Sequence, residues 1–376
     1  VKKLGKLSKQ LQKGLALAFN KFDEYQFSKY NRDADVKLRD ALFLVHPRPK
    51  TELQQVLFDK IAADTLDTAY TWETELSRAG QEVQGTEDDK NLAFAKQWEA
   101  LIDSGKLGYM AMLRNLRNML QKGISDAHLD KVAAMLSDPK QVAKSKQFPF
   151  RFLSAYRELR SETNFRAPQV MEALEAAIRA SVVNMKGFGR DTRVLIASDV
   201  SGSMQVPVSA KSKVQMYDIG LVLSMLLQSK CERAITSIFG TEFKVVNMPR
   251  AEILANTDKM NHYSAQVGWA TNGHLVIEHL VKTKTVVDKV MIFTDMQLWN
   301  SQGDGGHLGK AWKQYKGMAP GAKLYLFDLQ GYGQAPINVL RDDVFMIAGW
   351  SDKIFDILHA IENGSNALDE IQKISI

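Results

Sequence analysis

The chain has 376 residues, 45% of them hydrophobic and 24% charged, with a net charge of +6 and one cysteine, Cys231. That length exceeds one ordinary core and predicts two domains in a water-soluble globular protein. The lone cysteine excludes an internal disulfide framework and fits a reducing, cytoplasmic setting. No apolar run approaches the ~20 residues of a membrane span. The basic start V-K-K-L-G-K-L-S-K lacks the apolar block of a signal peptide.

The first half, residues 1–190, reads as all helical. Apolar residues recur at helical spacing in L-S-K-Q-L-Q-K-G-L-A-L-A-F and L-Q-Q-V-L-F-D-K-I-A, and glycines and prolines cut the region into short pieces. Short helices that cannot bury a face alone predict stacked pairs, a HEAT-type α-solenoid, although no clean repeat is visible. This half carries 31 Lys and Arg against 24 Asp and Glu, whereas residues 191–376 carry 18 against 19. The excess points to an anionic partner, nucleic acid before membrane, with a solvated surface as the plainer alternative.

Several cations stand at helical spacing in this half. In Val36–Val45 the apolar positions leave Lys37 and Arg39 on or near a wet face, and His46, Arg48 and Lys50 follow on a proline-stiffened loop. Together they form a strip suited to phosphates, or a solvated helix edge with a capping histidine. Arg114 and Arg117, three apart, share a face while Leu113, Leu116 and Leu120 turn inward. The two arginines either line a basic hole or pair with acids of a neighbouring repeat, and Asn115 and Asn118 are expected to tie helices together. Lys140, Lys144, Lys146 and Arg151 form a further basic run. Tyr25, Tyr30 and Tyr109 lie near cations and could stack bases, but their spacing favours packing.

Near residue 190 the pattern changes to strands alternating with helices. Strand-like runs are V-L-I-A-S, A-I-T-S-I-F, K-V-M-I-F-T-D, A-K-L-Y-L-F-D-L and D-V-F-M-I-A, with helices over Val214–Gln228, Gly273–Lys282 and Lys353–Glu362. This is a doubly wound α/β domain with a mostly parallel sheet, spanning residues 191–376. Cys231 falls at the end of a helix, as a packing thiol.

Ligands of such sheets gather at the carboxyl ends of strands. There the chain places Asp199, Ser201 and Ser203, spaced D-x-S-x-S, and Asp295 after a later strand, with Thr271 in the loop G-W-A-T-N-G-H. All five supply oxygen, the donor that a hard divalent cation such as Mg²⁺ takes. The competing reading is that the serines cap the next helix. The set resembles the metal-ion-dependent adhesion site of von Willebrand factor A domains. That resemblance implies direct metal contacts from the two serines, direct or water-bridged ones from the others, and an acidic protein ligand at the open position. Trp269 beside this loop is expected to pack in the core.

No enzyme is expected. A haloacid-dehalogenase-like phosphatase needs a second aspartate where Ser201 stands. A serine hydrolase needs a glycine that D-V-S-G-S lacks, and His262, His274, His279 and His307 bear no fixed relation to Ser201. A phosphate-binding glycine loop is also missing.

Two helical segments carry a wider resemblance. Lys29–Lys50, K-Y-N-R-D-A-D-V-K-L-R-D-A-L-F-L-V-H-P-R-P-K, and Trp98–Leu120, W-E-A-L-I-D-S-G-K-L-G-Y-M-A-M-L-R-N-L-R-N-M-L, resemble the TROVE module of the Ro autoantigen family. That family also ends in a von Willebrand A domain with this D-x-S-x-S. The resemblance implies a helical ring closed against the A domain. Its basic hole takes single-stranded 3′ ends of misfolded RNA, its outer face takes small structured Y-like RNAs, and an exoribonuclease is a possible partner. Lys29 and His46 match its outer RNA-contacting positions, and its next basic residue is matched by Asp33, with Arg32 one place away. The leading expectation is therefore a ribonucleoprotein scaffold in RNA quality control. The alternatives are a metal-dependent protein-binding adaptor and the phosphatase.

Overall fold

The computed structural model describes residues 7–31, 34–68, 70–182, 189–298, 305–350 and 354–364. Its contacts divide the chain into two compact units, Val1–Leu107 and Gly108–Ile376.

The described part of the first unit is helical: α1 (Lys9–Phe19), α2 (Glu24–Tyr30), α3 (Leu38–Val45), α4 (Glu52–Ala63), α5 (Trp72–Glu82) and α6 (Glu87–Asp103). Side-chain caps set most of the starts. Asp23 accepts from the Gln26 amide at 2.8 Å, and Thr51, Thr71 and Thr86 accept from the backbone three residues on. Phe19, Phe27, Leu42, Leu57, Phe58 and Ile61 make the core of α1 to α4, with Phe19 stacked on Phe27 at 5.3 Å between ring centres. Trp72 stacks on buried Trp98 to join α5 to α6.

The second unit opens with five more helices, α7 (Tyr109–Lys122), α8 (Asp126–Ser137), α9 (Pro139–Ser145), α10 (Pro149–Leu159) and α11 (Ala167–Ser181). In α7 Met112, Leu113, Leu116, Met119 and Leu120 form one buried stripe, and Gly123 in the left-handed region (φ 72°) ends the helix. The stripe leaves the arginines of α7 outside.

A six-stranded sheet follows: β1 (Arg193–Asp199), β2 (Arg233–Phe239), β3 (Phe243–Val245), β4 (Lys289–Thr294), β5 (Lys323–Asp328) and β6 (Val344–Ala348), in the spatial order β3-β2-β1-β4-β5-β6. All neighbours run parallel except β3, which pairs antiparallel with β2 at the edge. Helices α12 (Met216–Lys230), α13 (Leu254–His262), α14 (Ser264–Val267), α15 (His274–Thr283), α16 (His307–Met318) and α17 (Ile354–Glu362) complete the unit. β1 is buried from Val194 onward, which is why its sequence is an unbroken apolar run. Strand order reverses between β1 and β4, and that switch point is where doubly wound sheets bind ligands.

Helices give way to strands at Arg193, yet the contacts divide the chain much earlier. The reason is that α10 and α11 are bound to the sheet layer. The buried Arg157 of α10 meets Asp218 of α12 and Asp258 of α13, and the Glu175 carboxylate of α11 accepts from the amides of Ile253, Leu254 and Ala255 at the start of α13. An anion at a helix N-terminus satisfies donors that the helix itself leaves free. Among the described residues no helix is long and apolar enough to cross a membrane.

Candidate nucleic-acid interface and metal centre

The helical cations separate into distinct settings. Arg114, Arg117 and Arg151 are brought together around a cleft of about 480 Å³ between α7 and α10, also lined by Met110, Ser154 and Glu158. Arg117 is paired with Glu158, whose carboxylate also lies 3.5 Å from the Lys213 ammonium. Arg114 and Arg151 are exposed and have no ion-pair partner among the described residues. One arginine of the α7 pair thus meets an acid of a neighbouring helix, and the other is exposed. Asn115 does not tie helices together, since its amide donates to the Ala111 carbonyl of its own helix at 2.8 Å.

Lys140 and Lys144 sit exposed on α9, outside the cleft lining. In the first unit Lys37 and Arg39 converge on Asp64, at 3.3 and 3.8 Å, so that one carboxylate offsets part of the charge of the strip. His46 caps α3 in the left-handed region (φ 45°) and lines a small cavity with Pro47 and Phe43. Arg48 and Lys50 are exposed on the following loop. Lys29 lines a separate cleft with Tyr30. Arg32 and Asp33 lie outside the described residues. Of the tyrosines, Tyr109 is a packing residue whose hydroxyl donates to the Leu136 carbonyl, whereas Tyr30 is 61% exposed.

At the switch point the D-x-S-x-S turn meets the end of β4 and the loop that carries Thr271. The Asp199 carboxylate accepts from the Ser201 amide at 2.9 Å and from the Thr294 hydroxyl at 2.6 Å, which ties the end of β1 to the end of β4. Ser201 and Ser203 hydroxyls are 3.3 Å apart on a 3-10 turn. They do not cap the next α-helix, because α12 starts later and is capped by the Gln215–Asp218 box. The Thr271 loop is joined to this turn through the Gly202 amide, which donates to the Trp269 carbonyl at 3.3 Å. Gly240 lets that loop pass: a Cβ there would lie 2.1 Å from the Gly268 carbonyl oxygen. After Asp295 the backbone enters the left-handed region at Met296 (φ 62°), held by a bond from its amide to the Thr294 hydroxyl.

Asp199, Ser201, Thr271 and Asp295 are all buried. Burial pushes the Asp199 carboxyl up to about 7, against hydrogen bonds from Ser201 and Thr294 that pull it down. The Asp295 Oδ2 atom is buried with no hydrogen-bond partner, while its other oxygen accepts from the Gln297 amide. A buried, unpartnered carboxylate oxygen beside hydroxyls and a second carboxylate is a donor set that a hard divalent cation satisfies. The residues fit such an ion. No described histidine hydrogen-bonds to Ser201 or Ser203, which bond to each other.

Three features escaped the sequence. Thr294, inside the F-T-D signal, orients Asp199. Glu158 bridges an arginine and a lysine far apart in the chain. Trp269, expected in the core, is instead 56% exposed in the loop that carries Thr271.

Residues 65–214 match the TROVE domain family, and residues 193–361 match the Ro60 vWA domain family. Over 86 residues, 23% of this chain, the sequence is 49% identical to telomerase protein component 1 of Mus musculus. Over 89 residues it is 48% identical to that of Rattus norvegicus. The chain spans only 3% of the length of each of these relatives. Its fold is similar to that of the RO (RSR) protein of Deinococcus radiodurans, with a TM-score of 0.65 at 19% identity, covering 96% of this chain and 78% of the other.

Proposed function

We infer, from a chain that carries a TROVE domain and a Ro60-type von Willebrand A domain and so belongs to the TROVE/Ro family, that it is the RNA-binding component of a ribonucleoprotein. The observation that carries this reading is the α7–α10 cleft, where three guanidiniums face one carboxylate. Phosphates are the anions that such a spaced set of fixed cations recruits, because each contact releases condensed counterions and needs no base identity. Arg114 and Arg151 are available as they stand, and a phosphate can take Arg117 from Glu158. The substrates that suit a sequence-tolerant cleft are single-stranded segments, including the 3′ ends of misfolded RNAs, with small structured RNAs on other basic faces. The role is that of a scaffold, without catalysis of its own.

Asp199, Ser201, Ser203, Thr271 and Asp295 would hold a divalent cation, most simply Mg²⁺, which would supply a positive point able to bind an acidic group. The chain's own part is to pre-form the oxygen set at the switch point and to keep it dry. Exposed Trp269 at its edge favours a second reading, in which this face recruits an acidic protein. Reversing Arg114 and Arg117 to glutamate separates the two: the RNA reading requires a large loss of RNA affinity, and the adaptor reading requires none.

A further inference from the structure

The cleft that holds Lys29 has a composition that phosphate binding alone does not explain. It measures about 420 Å³ and is formed where the end of α2 meets the start of α5. That size suits a small planar group. Tyr30 forms one wall and keeps 61% of its surface open at the end of α2, where Phe27 is buried and Tyr25 is also exposed. The Lys29 ammonium lies 5.8 Å from the Tyr30 ring centre. Leu66, packed against the apolar core of the first unit, supplies a greasy floor. The remaining lining includes two carboxylates, Asp67 and Glu73. Asp67 is largely exposed and only 3.8 Å from its nearest cation, Lys60, which bonds more closely to Glu24.

Carboxylates repel a phosphate backbone, so their presence beside an exposed aromatic ring and a lysine needs another reason. An aromatic platform takes the flat face of any nucleobase. The edge chemistry then discriminates. Carboxylates are acceptors only, so they bind base edges rich in N–H donors and reject edges rich in carbonyls. Guanine offers a ring N–H and an amino group side by side, and uracil offers one N–H between two carbonyls. Lys29 is placed to take the phosphate of the same nucleotide.

We propose that this cleft is a base-reading subsite that holds one unpaired guanine of a bound RNA, stacked on Tyr30, with its donor edge read by Asp67 and Glu73. The proposal rests on the RNA-binding reading above and adds to it a preference that the arginine cleft lacks.

The test uses the full chain and two labelled single-stranded probes, an oligouridylate and the same oligomer with one central guanosine, compared by equilibrium binding. The parent is expected to prefer the guanosine probe by about tenfold, within the range of one base-edge contact. Tyr30→Ala should abolish the preference, Tyr30→Phe should keep it, and Asp67→Asn with Glu73→Gln should lose it while binding the uridine probe at least as well. Tyr30 is exposed, so an unchanged thermal transition certifies that Tyr30→Ala is folded. Equal affinities for the two probes in the parent, or a preference that survives in folded Tyr30→Ala, would overturn the subsite and leave the arginine cleft standing. Binding of neither probe would overturn both.

Discussion

Arg157 and Asp218 form a buried ion pair that joins the last helices of the array to the sheet, with Nε 3.2 Å from Oδ2 and a second contact through Nη2. The side chains are 5% and 1% exposed. Burial works against the guanidinium charge, yet Asp218 and Asp258 outweigh it and hold Arg157 charged. Removing one partner of such a pair strands the other in a dry site. Arg157→Met should therefore lower unfolding free energy by about 3–5 kcal/mol in urea titration. Arg160→Met, at an exposed neighbour of the same Asp258, should cost less than about 1 kcal/mol.

Gly240 tests how the Thr271 loop is placed. Gly240→Ala puts a methyl group against the Gly268 carbonyl, backbone against backbone, so the Thr271 loop must move. Expected outcomes are a lower thermal midpoint and loss of any stabilisation by Mg²⁺. Gly317→Ala, in open space on α16, should not lower the midpoint and should leave the response to Mg²⁺ unchanged.

Asp295 and Asp199 give the metal assignment its clearest signature. Both are buried carboxylates, and one oxygen of Asp295 has no partner. A ligand that binds only the folded state raises stability by about 2.7 kcal/mol at a hundredfold excess over its dissociation constant. Mg²⁺ should stabilise the parent in this way. Asp295→Ala should abolish that gain at a cost of no more than about 1–2 kcal/mol to the metal-free protein, because one oxygen of the lost group is unsatisfied there and the other accepts a single amide bond. A metal-free Asp295→Ala that is much less stable than the parent would count against the assignment.

Acid should loosen the sheet unit in a defined window. Burial pushes Asp343 up, but hydrogen bonds from Arg341 and Lys316 and their charges outweigh it and bring the carboxyl down to about 2. Bonds from Lys289 and Tyr325 likewise overcome burial at Glu362, and the Arg193 side-chain bond lowers Asp288. Carboxyls lowered in the folded state contribute stability that is complete above the unfolded value, about 4. That contribution is lost as pH falls toward 2. Urea midpoints should drop across that interval, and Asp343→Asn should be less stable at neutral pH with a shallower acid limb.

How much of this was legible follows from burial and from chain separation. β1, β4 and β5 are covered on both faces, so each reads as an apolar run, and the residue that ends each run sits at a strand mouth. The carboxyl-end residues Asp199 and Asp295 were readable for that reason. β3 was not, because three half-buried residues at an edge carry no pattern. Helix α16 hides its apolar face behind three lysines and two glycines, although Trp312 and Tyr315 are fully buried on it. Glu158 could not be seen as the partner of Arg117, since the two are 41 residues apart and meet only after α7 and α10 pack. Neither could the pairing of Lys37 and Arg39 with Asp64, which ends the following helix in the left-handed region.

The most direct test is the salt dependence of RNA affinity for the parent and for Arg114→Glu with Arg117→Glu, measured with one single-stranded RNA. If the cleft grips phosphates, log affinity of the parent falls linearly with log salt, and the double variant binds more weakly with a slope shallower by about 0.7 for each lost contact. An affinity that ignores salt, or a double variant that binds as the parent does with the same slope, would contradict the account.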